Sequence, residues 1–334
     1  MACTLKDIAK ISGMSVSTVS RALNDSPLIK ENTKVKIKKI AESMNFEFNT
    51  NARSLIKSKT NTIGIIFANN YYNFRTKTFY SILERHLVDY IEKNGYEAII
   101  QTAANSYTGT SNIKKIVNGQ KVDALIVATR DITEEDLEIL ENSKIPFSFL
   151  YYPTVKKKFL KQTFYIDNIK SGALAAKFFY EKGLKNILTI TKETEIETNY
   201  LDRTKGFLEE AKKFNLNISL SYSGVTFEEG YNFAINNIEY LKKFEGIFCQ
   251  QDYGALGIIK ALNEFQIDIP TQISIVGHDN FEDIIQMFSP KLTTIKQPFQ
   301  EICINSINYL LNQINEKDFT IKRTFKASII ERES

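Results

Sequence analysis

This sequence is short of the residues that carry most metal and redox chemistry. Of its 334 residues, three are cysteines, Cys3, Cys249 and Cys303, and two are histidines, His86 and His278. An odd and scattered set of cysteines argues against a disulfide scaffold or a zinc cluster and fits a reducing compartment. With so few histidines, no metal or cofactor is expected. No apolar run approaches the roughly 18 residues of a membrane span. The opening MACTLKD carries no apolar leader, so a cytoplasmic location with no membrane partner is expected. Catalytic signatures are missing too. No G-x-G-x-x-G follows the first strand-like stretch, and no G-x-x-x-x-G-K-[ST] phosphate loop or G-x-S-x-G elbow occurs. His278 and Asp279 adjoin, but a strand would send them to opposite faces, so a Ser/His/Asp triad has no skeleton. An enzyme is not expected.

What is present is an ordinary globular composition, 43% hydrophobic and 25% charged, over a length that suits two or three domains. The charge is unevenly placed. Residues 1–60 hold 11 Lys and Arg against 5 Asp and Glu, or +6, while the whole chain is +4. Residues 61–334 therefore carry −2. A small basic N-terminal segment is what meets phosphates.

That segment opens with TLKDIAKISGMSVSTVSRAL, Thr4 to Leu23. It reads as two short helices around a tight turn. Ala9 allows close packing, Gly13 accepts the positive φ of a sharp turn, and Val19 faces back onto the first helix. Thr4 with Asp7 can cap helix one, and Ser15 can cap helix two. Val16, Ser17, Ser20 and Arg21 point outward, a set of small, hydrogen-bonding and cationic groups suited to a major groove. Such a pattern also fits a plain αα-hairpin. A third helix over 33–44 presents Ile37, Ile40, Ala41 and Met44 at helical spacing, with Asn32 or Thr33 as a better cap than Lys30. Residues 48–60 are polar and mildly basic. They read either as a flexible linker or as a hinge that folds on DNA, with Leu55 as an apolar wedge between base steps.

From residue 61 short apolar strands alternate with amphipathic helices. The strands are expected at 62–68, 97–103, 124–129, 147–151, 186–191, 218–223, 246–250, 273–278 and 292–297. Helices are expected at 76–94, 111–119, 133–143, 170–182, 201–214, 227–243, 253–265 and 299–314. This is the pattern of parallel sheets covered on both faces. The runs 61–165 and 166–290 suggest two similar lobes. The late pieces 292–297 and 325–331 suggest a return to the first lobe and an end in the second. Ligands in such sheets bind beyond the carboxyl ends of strands. The residues to read are then Asn69 to Tyr72, Arg203, Gln251, Asp252, Asp279 to Phe281, and Phe299. A carboxylate, a guanidinium, amides and aromatic faces suit a polyhydroxylated ligand. Each also has a plain structural reading as cap, surface ion pair or core.

In order and spacing, eight blocks resemble the LacI/GalR family of bacterial transcriptional regulators along nearly the whole chain. They are TLKDIAKISGMSVSTVSRALN, NARSL, NTIGIIF, IDNIKSGALAAKFFYEKG, DRTKGFLEEA, GIFCQQDYGALGIIKAL, ISIVGHDN and LTTIKQPF. The resemblance implies an α/β protein: an all-α helix-turn-helix head with a two-lobed, periplasmic-binding-protein-like core of parallel doubly wound sheets. The head is expected at 1–47, a hinge helix or linker at 48–60 and the core at 61–334. Within the core an N-lobe is expected at about 61–163 and 293–322, and a C-lobe at about 164–291 and 323–334. The implied partners are double-stranded operator DNA, a small-molecule effector such as a sugar or sugar phosphate, and a second copy of the chain. A protein corepressor is a further possible partner. Without a leucine-heptad tail, a dimer is expected over a tetramer.

By position the resemblance assigns DNA contacts to Thr4, Ser15, Val16, Ser17, Thr18, Ser20, Arg21, Asn24, Asn51, Ala52, Arg53 and Leu55. Val16 and Ser17 would be the main base readers and Leu55 the minor-groove lever. It assigns the effector to Tyr71, Tyr72, Tyr151, Arg203, Gln251, Asp279 and Phe299. Three places depart from the family pattern. Ala68-Asn69-Asn70-Tyr71-Tyr72-Asn73-Phe74 replaces Pro-Asp-x-x-Asn-Pro-Phe-Phe, Tyr151 stands where Asp is frequent, and Val225 stands where an aromatic is frequent. A different sugar, a nucleoside-like ligand or a protein corepressor would fit those changes. A sugar-responsive repressor of carbohydrate use is the expected function.

Overall fold

The computed structural model describes residues 3–44, 46, 59–72, 74–152, 157–194, 197–315 and 319–334, with no description of the side chains of 74–76 and 157. The chain divides into two units, Met1–Thr60 and Asn61–Ser334.

Among the described residues of the first unit three helices form, α1 Leu5–Ser12, α2 Val16–Leu23 and α3 Glu31–Ser43. Thr4 and Asp7 close a reciprocal capping box at the start of α1. Gly13 ends it at φ 70°, a left-handed conformation that costs a residue without a Cβ little. The Thr18 N–H donates to Ser15 Oγ (3.1 Å), which caps α2. Ile8, Ala9, Val19, Ala22, Ile37 and Ala41 bury together as the core of this unit. The third helix starts earlier than its apolar spacing suggests. Lys30 occupies the cap without a side-chain bond. Asn32 and Thr33 do not take the role, because both already lie in the first turn.

The second unit holds two six-stranded sheets. The strands in chain order are β1 Thr62–Phe67, β2 Glu97–Thr102, β3 Ala124–Ala128, β4 Phe147–Leu150, β5 Thr163–Ile166 and β6 Asn186–Ile190. They continue as β7 Asn217–Ser221, β8 Gly246–Cys249, β9 Ser274–Asp279, β10 Thr293–Lys296, β11 Thr324–Phe325 and β12 Ser328–Ile330. The first sheet runs β11-β5-β4-β3-β1-β2, and the second β12-β10-β9-β8-β6-β7. Every pair is parallel except β10 with β12. In each sheet the chain leaves its first strand to one side and returns on the other. The order reverses between β1 and β3 and again between β6 and β8. At such a reversal the connecting loops diverge and leave a crevice at the strands' carboxyl ends.

Lobe membership departs from the expected boundaries. Strand β10 belongs to the second sheet, and the chain crosses back only after it, into the helix Phe299–Asn315. That helix buries Phe299, Ile302, Cys303, Ile307, Leu310 and Leu311 in the first lobe's core. Strands β5 and β11 belong to the first sheet, so the crossing out of that lobe follows Ile166 and not residue 163, and residues 324–325 lie in the first lobe. The expected helix over 227–243 is interrupted. Asn237, at φ −132°, separates Phe227–Asn236 from Ile238–Leu241.

Candidate nucleic-acid interface and ligand cleft

On α2, Ser15, Val16, Ser17 and Arg21 are exposed, Thr18 and Ser20 half-buried, while Val19 and Ala22 turn inward. One face is thus spent on packing, and the opposite face is left for a groove. Arg21 makes no hydrogen bond or ion pair with a described residue. Ser15 Oγ lies 2.8 Å from both Ser17 Oγ and Thr18 Oγ1, so the hydroxyls at the helix start form a small linked set. Asn24 donates from Nδ2 to the Ser20 carbonyl (2.8 Å). Thr4 is exposed, its side chain engaged in the α1 cap. Asn51, Ala52, Arg53 and Leu55 lie outside the described residues.

In the second unit a cavity of about 550 Å³ opens where the two sheet reversals face each other. Its walls carry Thr129, Arg130 and Asp131 after β3, Lys192 after β6 and Gln251 after β8. Of the expected effector residues, Tyr151, Arg203, Gln251 and Asp279 line it. Three others do not. Tyr71 stacks on Phe67 at 4.8 Å and donates its hydroxyl to Glu84. Tyr72 is 79% exposed on the loop. Phe299 sits behind the wall, 5.7 Å from the Tyr151 ring. The loop after β1 folds the Tyr71 ring onto its own lobe, and that removes it from the cleft.

Arg203 is held rigidly. Its helix, Thr198–Lys213, crosses the helix Asn168–Glu181 with the backbones nearly touching. A Cβ on Gly206 would come 1.9 Å from the Ile169 carbonyl oxygen. From there Arg203 Nε donates to the Asn199 carbonyl (3.1 Å) and Nη1 to the Gln250 carbonyl (2.6 Å). Its guanidinium lies 4.6 Å from the Tyr200 ring. No carboxylate pairs with it among the described residues, so Nη2 is left for a ligand.

Asp279 breaks the strand geometry that would part it from His278. Its φ is 119°, and its Oδ1 lies 2.8 Å from His278 Nδ1. The expected opposition of the two side chains is therefore wrong at this position. The strand ends in a backbone twist that turns Asp279 back. Gln297 Nε2 donates to the same Oδ1 (2.5 Å). Burial raises the Asp279 carboxyl above the usual carboxylate range, and Arg203 opposes the rise. Burial likewise raises Asp252, with the Asp279 charge adding to it. Asp252 accepts from the Phe281 N–H (2.8 Å) and the Thr294 hydroxyl (2.5 Å). Burial holds the His278 ring well below the usual imidazole range.

The cleft contains residues that end-of-strand reasoning passed over. Phe79, Tyr80, Tyr152 and Tyr200 supply aromatic walls beside the expected Phe281, and Gln297 a buried amide. Tyr200 was legible, three positions before Arg203 on one helix face. Gln297 directly follows β10. Phe79 and Tyr80 lie inside a long helix, and nothing in the local pattern marks them. Across the cleft, Arg130 Nη2 donates to Thr198 Oγ1 (3.0 Å) and Asn199 Oδ1 (3.2 Å). Thr78 Oγ1 and Tyr253 Oη lie 2.6 Å apart. Phe281, from the second lobe, buries in the core of the first. Among the described residues no group of acidic, His or Cys side chains could hold a metal, and no helix is long and apolar enough to cross a membrane.

Residues 4–49 match the family described as bacterial regulatory proteins, lacI family. Residues 176–334 match the periplasmic binding protein-like domain. The HTH-type transcriptional repressor PurR of Vibrio atlanticus (strain LGP32) is 30% identical over 98% of this chain and 97% of its own. The lac repressor dimer bound to operator and the anti-inducer ONPF has the same fold, with a TM-score of 0.77, at 18% identity over 100% of this chain and 99% of that one. A transcriptional regulator CelR–cellobiose complex aligns with a TM-score of 0.68 at 18% identity, over 99% of each chain.

Proposed function

The chain belongs to the lacI family of bacterial regulatory proteins, as a non-enzymatic DNA-binding transcriptional regulator with an effector-binding core, and on that premise we propose that it is a sugar-responsive repressor of a carbohydrate-utilisation operon. The observation that carries the sugar reading is the cleft. A buried carboxylate, a guanidinium with a free edge and Gln251 stand beside tyrosine faces in one cavity. Vicinal hydroxyls bridge carboxylate and guanidinium, and the C–H face of a sugar ring lies on an aromatic ring. The CelR neighbour, which shares the fold, is a complex with cellobiose.

In this proposal the protein works in the cytoplasm as a homodimer on a near-palindromic operator. Val16 and Ser17 read base edges with Arg21 beside them, Thr4, Ser15, Thr18, Ser20 and Asn24 hold the head in the groove, and Leu55, flanked by Asn51, Ala52 and Arg53, wedges the minor groove. The sugar favours one pose of the lobes, and that pose sets whether the hinge segments order on DNA. Couplings of this kind amount to about 1–3 kcal/mol.

A second reading is a nucleobase effector, which the four tyrosines and two phenylalanines around the cavity favour. Thermal unfolding of the full-length protein separates the two. Glucose, galactose, ribose, maltose and cellobiose are compared with adenine, guanine and hypoxanthine. A sugar should raise the melting temperature by mass action. A rise with the bases alone would replace the sugar reading by the second.

A further inference from the structure

Two consecutive residues at the carboxyl end of β9 hold a left-handed backbone, Asp279 at φ 119° and Asn280 at φ 58°. Residues other than glycine keep such conformations only where their surroundings fix them, and they gather at functional sites. The turn they make sends neighbouring side chains to two places. Asp279 lines the cleft, and Phe281, 2% exposed, enters the core of the first lobe. Tyr253 packs beside Phe281 at 5.6 Å between rings, and its hydroxyl lies 2.6 Å from Thr78 Oγ1 of the first lobe. One turn of the second lobe thus carries both a cleft carboxylate and a ring seated in the other lobe.

The turn is held from two sides. Asp252, fully buried, accepts the Phe281 N–H. The second hold is Arg332, which is not among the described residues that line the cavity. Strand β12 pairs antiparallel with β10, and that pairing delivers Arg332 to the turn. Its Nη2 donates to Asn280 Oδ1 and to Glu282 Oε2, both at 2.7 Å, and its Nη1 to the Leu292 carbonyl at 2.9 Å. Asn280 Nδ2 completes the triangle by donating to Glu282 Oε2 (3.1 Å). The Arg332 side chain is 12% exposed. A rigid guanidinium fork that reaches a side-chain amide, a carboxylate and a main-chain carbonyl fixes geometry in a way that a single exposed ion pair does not. Taking the cleft as the effector site, as above, we propose that Arg332 is a positioning residue for the effector response. By holding Asn280 it fixes both the aim of the Asp279 carboxylate and the seat of Phe281, so a ligand on that carboxylate biases the pose of the first lobe. The role is the same for a sugar and for a nucleobase.

The test uses the full-length protein and a DNA fragment that it selects from a random pool. Affinity is measured by fluorescence anisotropy without a probe and at saturating glucose, galactose, ribose, maltose, cellobiose, adenine, guanine or hypoxanthine. Without a probe, Arg332→Ala should bind the fragment as tightly as wild type. The probe that changes wild-type affinity at least about fivefold should change that of Arg332→Ala less than about twofold. Asn280→Ala removes the acceptor from the other side of the same contact. It should lose the response to the same extent, and the double variant should lose no more than either single one; it carries the test alone if Arg332→Ala does not fold. A purely structural Arg332 would lower the melting temperature and leave the response whole. A full response in Arg332→Ala and Asn280→Ala, with none in Asp279→Ala, therefore overturns this inference and leaves the effector reading of the cleft standing. If no probe changes wild-type affinity, that reading and this inference fall together.

Discussion

Asp279 occupies a backbone conformation that few residues other than glycine adopt, at φ 119°, and the cleft shows what it gains. The twist brings its carboxylate against both His278 and Gln297. Alternation along a strand gives the opposite expectation, because that rule holds only while the strand is extended. A consequence can be measured. An ordinary aspartate titrates near 3.9, and burial raises Asp279 in the folded protein. The native state therefore holds this proton more tightly than the unfolded chain. The linked stability is complete below about pH 4 and is lost as the pH rises through the folded value. Asp279→Asn keeps an oxygen and removes the titration. Urea unfolding at a series of pH values should show the stability of wild type, relative to the variant, falling as the pH rises above about 4. Parallel pH profiles would contradict this. Arg203, Gln251 and Tyr151 could be read from the sequence as cleft residues because they follow the family's spacing. Tyr71 and Phe299 could not be excluded by spacing, since only the packing of their rings onto the first lobe keeps them out of the cavity.

The helices Asn168–Glu181 and Thr198–Lys213 are where element packing becomes function. They cross with Gly172 and Gly206 in the contact, and a Cβ at either would lie 1.9 Å from a backbone oxygen, of Arg203 and Ile169 respectively. The close approach seats the turn that carries Arg203. Gly206→Ala should destabilise the protein by about 1–3 kcal/mol, the range for overpacking a tight contact. Chemical denaturation would show it, and unfolding at the wild-type midpoint would contradict it. Most strands were legible because strands covered on both faces are continuous apolar runs, as TIGIIF and ALIVA are. The four residues of β5 were not read as a strand although β4, β8 and β10 are as short, and the two of β11 overlap only the first residue of the piece expected at 325–331. The sheet that β10 joins is a tertiary fact, absent from its own residues. Arg130 adds a contact between elements that spacing could not supply, since Thr198 and Asn199 are 68 and 69 positions away.

For the whole molecule, charge and division of labour were the clearest signals. The excess of basic residues is confined to 1–60, and the structure parts the chain at the same place, after Thr60. DNA affinity should accordingly fall steeply with salt, by about 0.9 in log K per log unit for each phosphate neutralised. Fluorescence anisotropy over a range of potassium chloride concentrations would measure the slope, and a flat response would contradict a basic head on the backbone. What ties the two units together functionally is the coupling between cleft and operator. The most direct test selects a DNA fragment from a random pool with the full-length protein. Affinity for that fragment is then measured with and without the sugar that raises the melting temperature, in wild type and in Arg203→Ala. The account predicts that the sugar changes wild-type affinity at least about fivefold, while Arg203→Ala binds the fragment as wild type does and ignores the sugar. An affinity that the sugar leaves unchanged in wild type would contradict it.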